Sequence, residues 1–278
     1  MYWNDKVIII TGSGHGIGLA TALEAGSQGA RIVLNCRNSD RLEKALRYLH
    51  EKGINAIACQ GDISDPETCT SIAAQAFTHY GRIDLLINNA AINAVASFEE
   101  MLPEVFRTVI GINLLGSANM ASAVLPYLRE HRGGILFTGS LMGIHGMGNY
   151  SAYSCSKMAL RALTESLRIE LEDSGIYIGL AYVACTDNSP DKTFLNKHGE
   201  CVPEPPRRRI NSQPVGKVAH TLLEMARKRW PLKYFTLLGR INALVNSLFP
   251  GIIHRVFRKT YISDRRVQAA AAEREARL

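Results

Sequence analysis

The sequence predicts an α/β fold in which a parallel sheet is covered by helices on both faces. Three observations predict it. Short β-branched runs alternate with longer segments of helical period, as in successive βαβ units. The strand-like runs are apolar throughout rather than alternating, as in strands buried on both faces. The composition, 46% hydrophobic and 21% charged with 23 Gly and 10 Pro in 278 residues, is that of an ordered globular chain and excludes a disordered or fibrous one.

Taken in order, strands are expected at 7–11, 31–36, 56–60, 85–88, 135–138 and 176–183. Helices fill the intervals at 17–28, 40–51, 66–80, 103–128 and 150–173, so each parallel connection is long enough for a right-handed crossover. Residues 185–213 hold four prolines, the run Arg207-Arg208-Arg209 and no period, and read as a long loop of the lid or binding type. Ser212 then caps a helix with Pro214 in its first turn that runs to Lys228, and a seventh strand follows at 234–237.

Two amphipathic helices come next. In the first, Leu238, Ile241, Leu244, Val245 and Leu248 share a face opposite Arg240, Asn242 and Asn246. In the second, begun by Pro250, the apolar Ile252, Ile253, Val256 and Phe257 accompany the charged Arg255, Arg258 and Lys259. The Ala-rich end, 268–278, reads as a frayed helix. One domain is thus expected over 1–237, with a basic amphipathic extension over 238–278 and no internal repeat.

The net charge of +7 belongs to the tail: residues 207–278 carry 16 Lys+Arg against 4 Asp+Glu, whereas residues 1–206 carry 16 against 21. Such polarity points to an anionic partner for the last quarter, a lipid surface or nucleic acid. The six cysteines form no C-x-x-C pair and no metal-clipping spacing with His, which predicts a reduced compartment and no metal. The N-terminus enters the first strand without the order of a signal peptide, and no run approaches the ~18 uninterrupted apolar residues of a spanning helix. A cytoplasmic chain that does not cross the membrane is the expectation.

The strongest local feature is Thr11-Gly12-Ser13-Gly14-His15-Gly16-Ile17-Gly18, where the first strand gives way to the first helix. Glycines there let the backbone turn sharply and approach a pyrophosphate, which amides at the positive helix end hold. The second strand ends Leu34-Asn35-Cys36-Arg37-Asn38-Ser39, with no carboxylate until Asp40 to bind ribose hydroxyls as an NAD site would. Arg37 is placed to meet a 2′-phosphate with His15 beside it, so NADP(H) is expected over NAD(H). The competing reading makes Arg37 a solvated turn residue.

Tyr153 and Lys157 stand four apart on one helix face. A phenol of pKa ~10 is a poor acid at neutral pH, and an adjacent ammonium lowers that value. Alone the pair reads as a surface contact, but Ser140 precedes Tyr153 by 13 residues, after an apolar strand. With Gly12, Gly16 and Gly18, then Asp62, Asn88-Asn89-Ala90-Ala91 and Asn113, the chain from about 5 to 188 resembles the short-chain dehydrogenase/reductase family.

The resemblance implies a single doubly wound Rossmann domain carrying cofactor and substrate together. It implies that Tyr153 donates a proton to a carbonyl oxygen and that Ser140 hydrogen-bonds that oxygen. It further implies that Lys157 holds the nicotinamide ribose and lowers the Tyr153 pKa, and that Asn113 supports a proton-refilling water chain. Cofactor contacts are implied for Gly12, Ser13, His15, Gly16, Ile17, Gly18, Arg37, Asp62, Ile63, Asn89, Ala90, Tyr153, Lys157 and Val183. A homodimer or homotetramer through the helices bearing Asn113 and Tyr153 is implied as well. The chain departs from the family pattern at Val183-Ala184, where Pro-Gly is usual, at Asn188 near a usual Thr, and at Ala91 for the commoner Gly.

Residues expected to border the substrate are Leu141, Met142, His145, Met147, Tyr150 and the loop after Cys185; they suit a hydrophobic ketone or alcohol. Cys155 reads as a packed thiol. The tail, flanked by Arg227-Lys228-Arg229-Trp230 and Lys233-Tyr234-Phe235, matches interfacial helices on anionic lipid, as in membrane-associated family members acting on steroids, retinoids or long-chain keto bases. Peripheral association with a membrane is therefore expected; the rival reading packs these apolar faces on the core or on a second subunit. A non-catalytic NADP(H)-binding regulator with a nucleic-acid-binding tail is disfavoured by the intact Asn113, Ser140, Tyr153 and Lys157.

Overall fold

Every residue of β1 (Val7–Thr11) is buried, the consequence of an apolar run with parallel neighbours on both sides and helices over both faces. The computed structural model describes residues 1–187, 192–203 and 212–275, with side chains described to 263. After β1 come α1 (Gly16–Ser27), β2 (Arg31–Cys36), α2 (Ser39–Glu51), β3 (Ala56–Gln60), α3 (Pro66–Tyr80) and β4 (Leu85–Asn88). Next are α4 (Pro103–Ile110), a π-helical segment (Gly111–Leu115), α5 (Gly116–Leu128), β5 (Gly134–Ser140), α6 (Ser151–Glu170) and β6 (Tyr177–Val183). The chain finishes with β7 (Thr193–Leu195), β8 (Cys201–Pro203), α7 (Val215–Arg227), β9 (Leu232–Tyr234), α8 (Leu237–Leu248) and α9 (Pro250–Glu275).

Seven strands form one parallel sheet in the order β3-β2-β1-β4-β5-β6-β9, a Rossmann-like doubly wound arrangement. Alternate strand residues divide between two cores. Ile8, Ile10, Ile32 and Leu34 pack with Ala22 of α1, Leu42 of α2 and Leu222 of α7. Val7, Ile9, Val33 and Phe137 pack with Ile72 of α3, Val124 of α5 and Leu160 of α6. Strand order reverses between β1 and β4, and in such sheets the crevice at the carboxyl ends of the strands there is where ligands bind.

Element boundaries follow local chemistry. Asn38 caps α2 by accepting from the Arg41 amide at 2.8 Å, and Asp65 caps α3, with Pro66 at its first position. The 103–128 region is helical as expected but is interrupted by the π segment. As a run of 26 residues with a window of mean hydropathy 1.4 it is long and apolar enough to cross a membrane; here Val105, Val109, Met120 and Val124 of it are buried inside the domain.

Several expectations need correction. Ser212 does not cap α7: its hydroxyl donates to Asp187 Oδ1, and Gln213 pairs with Cys185 and Asp187, so the chain stays extended until Pro214. The seventh strand lies at Leu232–Tyr234, because Thr236 accepts from the Gly239 amide at 3.0 Å and starts α8 where a strand had been expected. The long loop contains the antiparallel β7–β8 hairpin, whose three-residue strands are too short to show alternation; Asn196 Oδ1 ties its turn by accepting from His198 and Glu200 amides. Asn188 and Arg207-Arg208-Arg209 lie outside the described residues. The Ala-rich end is continuous with α9 as far as Glu275.

The C-terminal helices sit on the loop after β5 with polar side chains turned inward. Asn246 Nδ2 donates to the Ile144 carbonyl at 3.2 Å, Asn242 Nδ2 lies 3.5 Å from His145 Nε2, and the His145 and Phe257 rings are 4.0 Å apart. Outward stand Leu237, Leu238, Ile241, Leu244, Leu248, Phe249, Ile252 and Val256, with Leu238 74% and Leu244 61% exposed. The reading that packs this face on the chain's own core is thereby overturned, although Ile253 and Phe257 are half-buried. The basic flank also belongs to the fold. Glu224 pairs Arg227 and Lys228, Arg229 bonds the carbonyls of Arg132 and Gly175, and Lys233 lies over the Trp230 ring.

Candidate active site

Gly12 and Gly16 take φ of +63° and +57°, which lets the chain leave β1 and enter α1 in one tight loop. A Cβ on Gly12 would stand 2.7 Å from Ala90 Cα, and one on Gly18 would stand 2.5 Å from the Gly12 carbonyl oxygen. Thr11 and Asn89 fix the loop. Thr11 Oγ1 accepts from the Asn89 and Ala90 amides at 3.0 Å, and Asn89 Nδ2 donates to the carbonyls of Thr11 and Gly12 at 3.0 and 3.2 Å.

Ser13 is buried, its hydroxyl donating to the Ile10 carbonyl at 2.8 Å and accepting from the Asn35 amide at 2.9 Å. Its side chain, like the Asn89 amide, ties the loop from within. His15 occupies the extended N-cap position of α1, and Ile17 packs half-buried in the first turn. The sequence reading places Thr11 at the head of the glycine motif but gives it no role of its own.

At the end of β2, Arg37 is exposed and pairs with Asp62, Nη1 to Oδ2 at 3.4 Å. Burial alone would raise the Asp62 carboxyl. The Ser64 amide at 2.9 Å, the Ser64 hydroxyl at 2.8 Å and the Arg37 charge outweigh it and hold the group below its ordinary value. A Cβ on Gly14 would lie 3.3 Å from Arg41 Cβ, so a second arginine borders the glycine loop. Ile63 is buried, its carbonyl accepting from Asn119 Nδ2 at 3.2 Å.

Asn113 lies buried in the π segment. Its Oδ1 accepts from the Ile92 amide at 2.8 Å, while Nδ2 donates to the Ile92 carbonyl at 2.9 Å and to Ser156 Oγ at 3.0 Å. Ser156 donates in turn to the Tyr153 carbonyl at 2.7 Å, so Asn113 ties the chain after β4 to the first turns of α6. The extra residue of a π turn is a common device for aiming such a side chain.

Lys157 is 3% exposed; its Nζ donates to the Thr138 carbonyl of β5 at 2.9 Å and lies 5.7 Å from the Tyr153 ring centre. Burial pushes its pKa down to about 8. Ser140 closes β5 in register with Val183, itself buried, and its Oγ accepts from the Met142 amide at 3.2 Å. The turn after it presses on α6: a Cβ on Gly143 would stand 2.8 Å from the Lys157 carbonyl oxygen. Cys155 is exposed rather than packed, since it falls on the opposite side of α6 from the buried Ser156 and Lys157. The geometry thus joins Asn113, Tyr153 and Lys157 in one cluster, with Ser140 at the turn packed against it.

Comparison with known proteins bears on the same residues. A sequence model of the short chain dehydrogenase family matches residues 6–198. The chain is 34% identical over 186 residues to 3-ketodihydrosphingosine reductase of Bos taurus, an alignment covering 65% of this chain and 56% of the bovine protein's own length. It is 29% identical over 278 residues to the uncharacterized oxidoreductase YxnA of Bacillus subtilis, covering 98% of this chain and 76% of that one. Among solved structures, apo LigD from Sphingobium sp. strain SYK-6 superposes with a TM-score of 0.75 at 26% identity, covering 91% of this chain and 97% of that one.

Proposed function

The chain belongs to the short chain dehydrogenase family, whose members are oxidoreductases that bind NAD(P), and we propose that it interconverts a carbonyl and a hydroxyl on a hydrophobic, lipid-like molecule with NADP(H). The observation that carries the chemistry is the buried Lys157 ammonium beside the Tyr153 ring, on a helix that Asn113 and Ser156 tie to the strand end. The positive charge favours the Tyr153 phenolate and so brings a phenol of pKa ~10 nearer to working pH. Tyr153 then passes its proton to the carbonyl oxygen. Ser140, which already accepts from the Met142 amide, keeps its own proton to donate to that oxygen as charge grows there.

The cofactor supplies hydride when bound, and the residues present fit it. Gly12 and Gly18 draw the loop tight against Ala90 and Asn89, a Cβ on Gly16 would meet nothing within 4 Å, and the N-terminus of α1 offers amides to phosphate. Arg37 and Arg41 would hold a 2′-phosphate, and the ionised Asp62 would accept from the adenine amino group. Replacing Arg37 with Ala is expected to lower NADPH affinity tenfold or more and to leave NADH affinity unchanged. Equal affinities of the parent protein for NADPH and NADH would refute the preference.

Leu141, Met142, Met147 and Tyr150 give the substrate side an apolar border, and the bovine relative is named a 3-ketodihydrosphingosine reductase. The outward apolar stripe of α8 and α9, rimmed by Arg240, Arg255 and Lys259, suits an anionic bilayer, which would place the substrate turn near its supply. Self-association through the helices of Asn113 and Tyr153 draws on the exposed Leu115, Met158 and Ile169. The test is NADPH oxidation over ketones of increasing chain length, with and without anionic vesicles. Activity rising with chain length and with vesicles is expected; activity on short ketones that ignores vesicles would leave the reductase chemistry and remove the lipid assignment.

A further inference from the structure

Away from Ser140, Tyr153 and Lys157, a cavity of about 350 Å³ opens between the turn after β5 and helix α9. That volume lies at the lower end of small-molecule sites. Its lining is divided along α9. Arg258 brings a cationic group and His254, one turn before it, an imidazole, with His145 across from them; Ile253 and Phe257, also one turn apart, and Tyr261 supply apolar surface. No Asp or Glu is among the described lining residues. The His145 ring rests on Phe257 at 4.0 Å, so the catalytic turn is itself one wall.

We infer that this groove binds the head of a single-chain anionic amphiphile. A carboxylate or phosphate meets Arg258 and His254, and the first methylenes lie on Ile253, Phe257 and Tyr261. Arg258 fixes the sign of the head group, because a guanidinium stays charged at every working pH and binds such oxygens bidentately. The apolar surface requires a chain behind that head, which a free inorganic anion lacks. The exposed Phe249, Ile252 and Val256 lie on neighbouring turns, so an amphiphile held in a bilayer under the stripe is within reach of the groove. Only this route of supply rests on the membrane reading; the binding itself does not.

The probe is decanoate, titrated calorimetrically into the full chain. Saturable one-site binding is expected, weakened at least tenfold in both Arg258→Glu and Ile253→Trp, with the melting temperatures of both variants unchanged. Decyltrimethylammonium should not bind, and inorganic phosphate should not compete. Leu244→Asp on the outer stripe and Tyr153→Phe in the catalytic cluster should bind decanoate as the parent does. This separates a failure of the groove from a failure of the proposed reductase. Unchanged affinity in both groove variants, equal binding of the cationic probe, displacement by phosphate, or loss of binding in Tyr153→Phe would each overturn the assignment.

Discussion

The switch point between β1 and β4 and the helical pair at the C-terminus treat their side chains in opposite ways. At the switch point apolar residues are buried, and the polar ones are tied to backbone: Ser13 to Ile10 and Asn35, Asn89 to Thr11 and Gly12, Asn113 to Ile92. On α8, α9 and the residue between them the asparagines turn inward, and nine large apolar side chains among the described residues face solvent. Burying each such side chain stabilises by roughly 1.5–3 kcal/mol. Folding of this chain therefore accounts for the arrangement of the first region and leaves that of the second to be explained by something outside it.

The largest effect is expected at Tyr153. Tyr153→Phe removes one hydroxyl from a helix whose fixings run through Ser156 and Lys157, so the fold and cofactor binding should survive while turnover falls by roughly 10²–10⁴, the range of general acid catalysis. Single-turnover NADPH oxidation beside a cofactor-binding titration measures both; turnover within tenfold of the parent would sink the assigned role. Next comes Gly18→Ala. The added methyl would meet the Gly12 carbonyl oxygen at 2.5 Å and Asn89 Nδ2 at 2.7 Å, both parts of the fixed loop. A loss of about 1–3 kcal/mol in stability is expected by denaturant titration, together with weakened cofactor binding. A variant as stable as the parent would show that the loop yields more than its hydrogen bonds suggest.

What the sequence disclosed follows the same division. Six sheet strands and the helices between them were legible because buried parallel strands are continuous apolar runs. Asn113, Ser140, Tyr153 and Lys157 were legible by spacing within a resemblance. The π segment around Asn113 was not, since nothing in Gly111-Ile112-Asn113-Leu114-Leu115 departs from helical period. Nor was the role of Ser13 or Asn89: a sequence shows that a polar group borders a loop, not whether backbone atoms already occupy it. For α8 and α9 the period revealed the two faces, but which one meets the protein depends on the Ile144–Gly148 turn more than 90 residues earlier.

Lys157 acts on stability as well as on activity. Its folded-state pKa of about 8 lies below its ordinary 10.5. Below pH 8 both folded and unfolded chains carry the proton, and the burial penalty acts in full. From pH 8 to 10.5 the unfolded chain binds a proton that the folded one has released, so this group's contribution to stability rises with pH. Lys157→Met should abolish that rise. At pH 7 it should make the cofactor-free protein more stable by about 2 kcal/mol, the shift less the bond to Thr138. Thermal melts of both proteins from pH 7 to 10.5 test the sign, and a variant less stable at every pH would contradict it.

The smallest effect on folding is expected where the apolar surface is largest. Leu244→Asp or Ile252→Asp in a packed core would be ruinous, yet both side chains are exposed, so each change should alter stability by no more than ~0.5 kcal/mol. On the same helices Asn246→Leu, which removes the donor to the Ile144 carbonyl, should lower stability by about 1 kcal/mol even though it adds hydrophobicity. That reversal of the usual order follows only if the polar side of α8 is its packed side. If the Asp variants prove strongly destabilising, the outward stripe is buried in a stable assembly of this chain. If they leave stability alone and abolish sedimentation with anionic vesicles, the stripe is held outward for a lipid surface.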